Sequence, residues 1–578
     1  MGSRRRVLGW IILVVVLGAV ALAVVNRFRS PVRGPTEHRM LVYDVPAEID
    51  EAPAPYLPFS LASLRRDQPS LREICAGISR AADDDAIDAL VLHVGGVSWG
   101  WARIAEFRDA LALFRDAGKP VYVSLAGGDE QSYLLATGAD LVSMPETAIL
   151  QLDGLTLSAM FLRGTYDKLG ITPNFASVGE YKSAVETYTR TGFSAPARAA
   201  LESLLDEEYG LLVDSLASAR DLAPDSVRRL IDEGPFTARA ALHAGLLDTL
   251  LDEPSLDALA GQADGRSLGT TSLSRYVRGT KDATSLGEPE IALIVASGAI
   301  VPGRSSSNPW SGEQCGSETM VSALREARNR RAVKAIVLRV DSPGGSGQAS
   351  DDIWQEVRRA RAQKPVIVSM SNLAASGGYY IACGADRIVA EPTTLTGSIG
   401  VFGGKLNLLG LYQKLGLNIE TVSRGRNAEM LSPFRDFTPQ ERDRYQAQLD
   451  DFYRVFLARV AEGRGMSEER ADSLGRGRVW AGLSAQRFGL VDTLGGLNTA
   501  VAVARSRAGL SEDATVRLEL YPRPKHSFVR TFLEGLLGVE DDESEASALS
   551  PVFAAWLVAA RFPAGATLAM LPYTLDIR

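Results

Sequence analysis

The chain's 578 residues are 46% hydrophobic and 23% charged, a globular balance in a chain too long for one core. A net charge of -8, with no strong basic run after the N-terminus, argues against a dedicated nucleic-acid binder and points to proteins or small molecules as partners. Three cysteines (Cys75, Cys315, Cys383) and four histidines (His38, His93, His243, His526) fall in no CxxC or HExxH-like spacing, so neither a disulfide scaffold nor a metal site is expected.

At the N-terminus, residues 7–25, VLGWIILVVVLGAVALAVV, follow Arg4, Arg5 and Arg6 and carry no charge. The run is long enough to cross a bilayer. A cleaved signal peptide would instead show an apolar stretch of about 7 to 15 residues and a small-residue cleavage site. Residues 1–30 are therefore expected to be a tail and membrane anchor. Arg27, Arg29 and Arg33 follow the span and blunt the charge bias; the orientation we favour puts the short tail inside and the bulk outside.

Beyond the anchor one architecture is written twice. AIDALVLHVGG (86–96) matches AVKAIVLRVDSPGG (332–345), AGKPVYVSL (117–125) matches AQKPVIVSM (362–370), and TGADLVSMPET (137–147) matches CGADRIVAEPT (383–393). AGLLDTL (244–250) likewise matches FGLVDTLGG (488–496), and the offset stays between 244 and 246 residues throughout. Such a repeat means two fused copies of one domain. Within each copy, apolar runs such as PVYVSL alternate with helical patterns such as ARIAEFRDALALFRDAG, where Ile104, Phe107, Leu111 and Phe114 recur at helix spacing. That alternation predicts an α/β fold of parallel strands joined by crossover helices. The expected division is a first repeat over 40–260, a polar linker over 261–288, a second repeat over 289–512 and a tail over 513–578. The tail carries the acidic EDDESEAS and then PVFAAWLVAARF, which either docks on the body or lies at the membrane surface.

The copies differ where chemistry would sit. In the second, PVIVSM runs into SNLAASGGYYIACGAD, which sets Ser376 at a strand-to-helix junction before Gly377 and Gly378. The first copy has Glu130 in that position. Conversely, ASVGEYKSAVE (176–186) aligns with VSRGRNAEMLS (422–432), which sets Lys182 opposite Ala428. Each half retains what the other lacks, so Ser376 is the candidate nucleophile and Lys182 the candidate base. A serine hydroxyl needs a positioned base, and serine/lysine pairs are an alternative to the histidine triad. A lysine can serve only if burial depresses its pKa. Taken singly, Lys182 reads as a solvated loop residue and Ser376 as a small packing residue; their reciprocal loss argues otherwise. In VDSPGGSG (340–347) the amide of Gly344 or Gly345, with that of Gly377, could hold an oxyanion, although an ordinary Ser-Pro-Gly-Gly turn would look the same. TLTGSIGVFGG (394–404) is a further glycine-rich strand end that either lines the groove or packs.

Together DSPGG, AASGGYY, LTGSIGVFGG, GEYKSAVE and RVWAGLSAQRFGLVDTLGG resemble the signal peptide peptidase A family, serine protease family S49, in its long duplicated form, from about residue 40 to 510. The resemblance implies two tandem domains with the ββα spiral of the crotonase and caseinolytic protease group, preceded by a transmembrane helix. It implies an endopeptidase of the bacterial inner membrane, facing the extracytoplasmic side, that degrades cleaved signal peptides and needs no cofactor. It also implies Ser376 as nucleophile, Lys182 as base and a homotetramer with the active sites inside. Two rivals are a crotonase-like enzyme acting on acyl-CoA, which would have little use for Lys182, and a membrane-anchored scaffold that binds without cleaving.

Overall fold

The computed structural model describes residues 38–51, 68–263, 266–279, 289–308, 312–511, 516–523 and 567–570. The expected anchor over 7–25, the acidic run and PVFAAWLVAARF lie outside them. Among the described residues no helix is long and apolar enough to cross a membrane.

The strands of the first copy stand in the order Gly269–Ser272, Arg39–Val45, Ile87–Val94, Val121–Leu125, Leu141–Ser143, all parallel. Their near-continuous apolar runs follow from burial on both faces. Helix Trp101–Asp116 covers one face through Ile104, Phe107, Leu111 and Phe114, all fully buried. The second copy repeats the pattern with Val366–Ala375, Val333–Ser342, Glu290–Ser297 and Arg517–Tyr521, again parallel.

Both copies extend beyond the boundaries expected from composition. Part of the polar stretch assigned to the linker forms the edge strand Gly269–Ser272 and helix Leu273–Gly279, whose Leu273 and Val277 are buried in the first core. Arg517–Tyr521, expected in the tail, is the matching edge strand of the second sheet. Leu273 and Val277, at helix spacing, bury one face of a segment that its composition marks as polar, and Gly269–Ser272 pairs its backbone with the first sheet.

The copies interlock. Strand Thr172–Val178 of the first pairs antiparallel with Val401–Asn407 of the second along its whole length, from Val178 opposite Val401 to Thr172 opposite Asn407. Helix Ala195–Arg220 of the first copy packs Leu204 into a cluster with Ala375, Val479 and Ala481 of the second. Its counterpart Pro439–Arg464 is also 26 residues long, starts at a capping box on Thr438 and lies over the borrowed strand, where the Gln446 side-chain amide donates to the Ser177 carbonyl. The exchanged strand ends four residues before Lys182.

Candidate active site

Ser376 ends strand Val366–Ala375 and begins helix Gly377–Ala382. Its backbone has φ 56° and ψ -111°, a conformation that costs a non-glycine residue about 1–3 kcal/mol and is held here by the packed strand and helix on either side. The turn seats the hydroxyl in a fully buried position, with the Ser376 amide tied to the Gly397 carbonyl at 2.8 Å.

Lys182 approaches from the first copy. The Tyr181 amide donates to the Arg476 carbonyl at 2.8 Å, which docks the lysine loop on the second copy. The fit needs glycines: a Cβ at Gly179 would lie 2.4 Å from Arg476 backbone, one at Gly477 would lie 2.4 Å from the Lys182 nitrogen, and one at Gly400 would lie 3.2 Å from Lys182 Cδ. The loop thus carries Lys182 inside, where only 2% of its surface is exposed. Lys182 Nζ lies 2.7 Å from Ser376 Oγ, 3.0 Å from Ser398 Oγ and 3.1 Å from the Ser398 carbonyl oxygen. Among the described residues no carboxylate is paired with it. Burial therefore pushes the amine well below its ordinary 10.5. An uncharged amine suits the three contacts: its lone pair accepts the Ser376 hydroxyl proton while its two N–H groups donate to Ser398.

The glycines converge on the same place. Gly344 has φ +94°, and a Cβ there would stand 2.6 Å from the Gly377 nitrogen. The Gly344 amide itself donates to Ser342 Oγ at 3.2 Å, and that hydroxyl donates to the Gly298 carbonyl at 2.7 Å. The Gly344 amide is thus already engaged, which leaves Gly345 and Gly377 as the oxyanion candidates of the three.

Two features escaped sequence reasoning. Ser398 sits in the glycine-rich stretch 394–404, but nothing in that stretch marks it as the third partner of the amine. The other is a buried ionic network that ties the glycine loop to the first copy. Arg103 Nε donates to Glu51 at 2.8 Å, and Arg103 Nη2 donates to Asp341 at 2.5 Å, directly before the Ser-Pro-Gly-Gly turn. Arg339, fully buried, reaches Glu51 at 3.0 Å and Glu106 at 2.6 Å. Burial pushes the Glu51 carboxyl up, but Arg339 and Arg103 outweigh it and hold the group well below its ordinary range. The available signal was an arginine inside the otherwise apolar run AIVLRV.

A buried serine with an amine beside it and glycines packed against its turn is the constellation of a hydrolase of the serine nucleophile class. Comparison with known proteins narrows the class. The sequence matches Peptidase family S49 over residues 113–262 and 358–511. It is 35% identical to "Serine protease SPPA, chloroplastic" of Arabidopsis thaliana, over 79% of this chain and 68% of that protein. It is 32% identical to "Protease 4" of Haemophilus influenzae, over 80% of this chain and 77% of that one, and 33% identical to "Protease 4" of Salmonella typhi, over 78% and 74%. The chain belongs to peptidase family S49 and is a serine protease.

Proposed function

We propose that the protein is an endopeptidase with a Ser376/Lys182 dyad that cuts extended, apolar-rich peptides, among them signal peptides left in a membrane after their release from secreted proteins. The observation that carries this reading is the 2.7 Å contact between a buried amine, with no carboxylate partner among the described residues, and a serine hydroxyl on a strained turn. Neutral Lys182 takes the Ser376 proton as Oγ attacks the scissile carbonyl, and the Gly345 and Gly377 amides hold the oxyanion. Protonated Lys182, steadied by the Ser398 carbonyl, then gives its proton to the leaving amine. Water, deprotonated by the same lysine, releases the acyl group. Docking of peptide against Gly344–Ser346, in place of the strand Leu568–Met570 that pairs with it, would supply main-chain recognition.

The wider reading includes a ββα-spiral kinship with the crotonase and caseinolytic protease group, anchoring through residues 7–25 in a bacterial inner membrane with the body outside, and a homotetramer. An acyl-CoA enzyme would leave Lys182 without a task, and a scaffold would leave both residues idle. The test is incubation with an unstructured apolar peptide: the native protein should cleave it, and Ser376→Ala and Lys182→Ala should not. Cleavage that survives in Ser376→Ala would overturn the assignment.

A further inference from the structure

The strand that delivers the nucleophile falls out of step just before it does so. Val366–Ala375 pairs in register with Val333–Ser342 from Val366 opposite Ile336 to Met370 opposite Val340, and pairing resumes with Ala374 opposite Ser342. Ser371, Asn372 and Leu373 thus stand together opposite the single Asp341. The first copy has no such bulge, because Val121–Leu125 keeps its register with Leu90–Val94 to the end. The sequence carries the difference: Pro365 less Pro120 is 245, whereas Ser376 less Glu130 is 246, so the second copy has one more residue between strand and turn. A bulge bends its strand and re-aims the side chains beyond it.

Each residue of the bulge is held, and the holding groups lead back to the first copy. The Ser371 hydroxyl donates to Glu51. Asn372 Oδ1 accepts from the Ala102 amide at 3.1 Å and the Arg103 amide at 3.3 Å, and Asn372 Nδ2 donates to the Trp99 carbonyl at 2.7 Å. Those amides open helix Trp101–Asp116, whose own N-cap, Gly100, has no side chain to offer them. Gly100 also makes room for the visitor: a Cβ there would lie 2.5 Å from Asn372 Nδ2. The Leu373 amide donates to Asp341 Oδ1 at 3.1 Å, and Arg103 Nη2 donates to Asp341 Oδ2 at 2.5 Å. One aspartate therefore ties the strand that runs into Ser376 to the loop that runs into Gly344 and Gly345, and Arg103 ties both to the first copy.

Building on the proposed endopeptidase activity, we propose that this bulge aims Ser376, and that Asn372 and Asp341 are positioning residues through which the first copy sets the nucleophile against the oxyanion loop. The first copy then serves the reaction twice. Its loop delivers the amine of Lys182, and the start of its helix Trp101–Asp116 is the fixed point from which the serine is placed. Among the described residues neither Asn372 nor Asp341 hydrogen-bonds Ser376 or Lys182, so their effect on rate passes through the backbone.

Kinetics of the full chain on the unstructured apolar peptide, counted per folded molecule, test the assignment. Asn372→Ala should lower kcat about ten- to a hundredfold with KM within about twofold, because a small misplacement of the nucleophile costs rate while peptide docking survives. Asn372→Asp, which keeps an oxygen for the helix amides, should lose less. Gly100→Ala lies in the first copy; it should push Asn372 off the helix start and reproduce the loss. In all three variants the rise of kcat with pH should stay where the native chain shows it, since the amine of Lys182 is untouched. A residue that only holds the fold together would lower the melting temperature and the folded fraction and leave kcat per folded molecule as it was. An unchanged kcat per folded molecule in both Asn372→Ala and Gly100→Ala overturns the inference, and so does a rise in KM at constant kcat. A native chain that cuts no peptide overturns the endopeptidase reading itself, an outcome distinct from native cleavage that the variants share in full.

Discussion

The two copies fold alike and spend the same corner of the fold differently. In the second, the strand-to-helix turn presents Ser376, and the amine of Lys182 fills the space beside it. In the first, the equivalent Glu130 turns its carboxylate onto the backbone: Oε1 accepts from the Asp153 amide at 2.8 Å and from the Gly154 amide at 2.7 Å. Burial pushes its carboxyl up while these amides pull it down. Where the second copy would offer a lysine, Ala428 stands exposed on the surface. One corner became a candidate reaction centre and its twin a plug of hydrogen bonds. Duplication lets each half carry one of the two costly features, the buried amine in the first and the strained serine in the second, while the unused counterpart of each reverts to structure.

The sharpest way to break this comparison is to silence one corner. Ser376→Ala should lower peptide cleavage at least about a thousandfold, whereas Glu130→Ser should add no cleavage, because no amine among the described residues is bonded to Glu130; an assay of each variant on the same peptide decides this. Lys182→Met should lose about a hundred- to ten-thousandfold. In the native protein kcat/KM should rise with pH through the depressed lysine pKa, since only the neutral amine accepts a proton, so a flat profile would count against the base. The same depression carries a stability signature. The unfolded chain binds a proton that the folded chain does not, so stability rises with pH between the lowered value and about 10.5. Lys182→Met should therefore melt higher than the native protein at neutral pH, with the gap closing as pH approaches that upper limit.

Smaller effects test what joins the copies. Arg103→Met leaves Glu51 and Asp341 without their shared cation and should cost about 3–5 kcal/mol, measured by denaturant unfolding. Glu130→Ala should cost about 1–3 kcal/mol by leaving two amides unpaired, with kcat unchanged; a fall in kcat would mean the plug also serves the chemistry. Ser398→Ala should reduce kcat by about tenfold, since the carbonyl contact to Lys182 survives the loss of the hydroxyl.

Much of this organisation is legible in one chain because the chain contains its own comparison. The helix spacing of Ile104, Phe107, Leu111 and Phe114 by itself marks a buried face. Ser376 against Glu130 and Lys182 against Ala428 point to the two residues that now lie 2.7 Å apart. Ser398 left no such mark, because a serine in a glycine-rich turn looks the same whether or not its carbonyl holds an amine. The edge strands Gly269–Ser272 and Arg517–Tyr521 were hidden by polar composition, since an edge strand exposes much of its surface.

Periodicity and internal repetition, which are properties of neighbouring residues, therefore determined the duplicated α/β architecture and named the serine and the lysine. That the amino-terminal copy lends its strand Thr172–Val178 to the carboxy-terminal sheet, and so delivers the amine, was decided only by the tertiary structure. The seating of Leu568–Met570 against Gly344–Ser346 was decided there too. The physical reason is that backbone hydrogen bonds along a strand edge accept almost any sequence, so the partner that satisfies them is chosen by the shape of the whole fold.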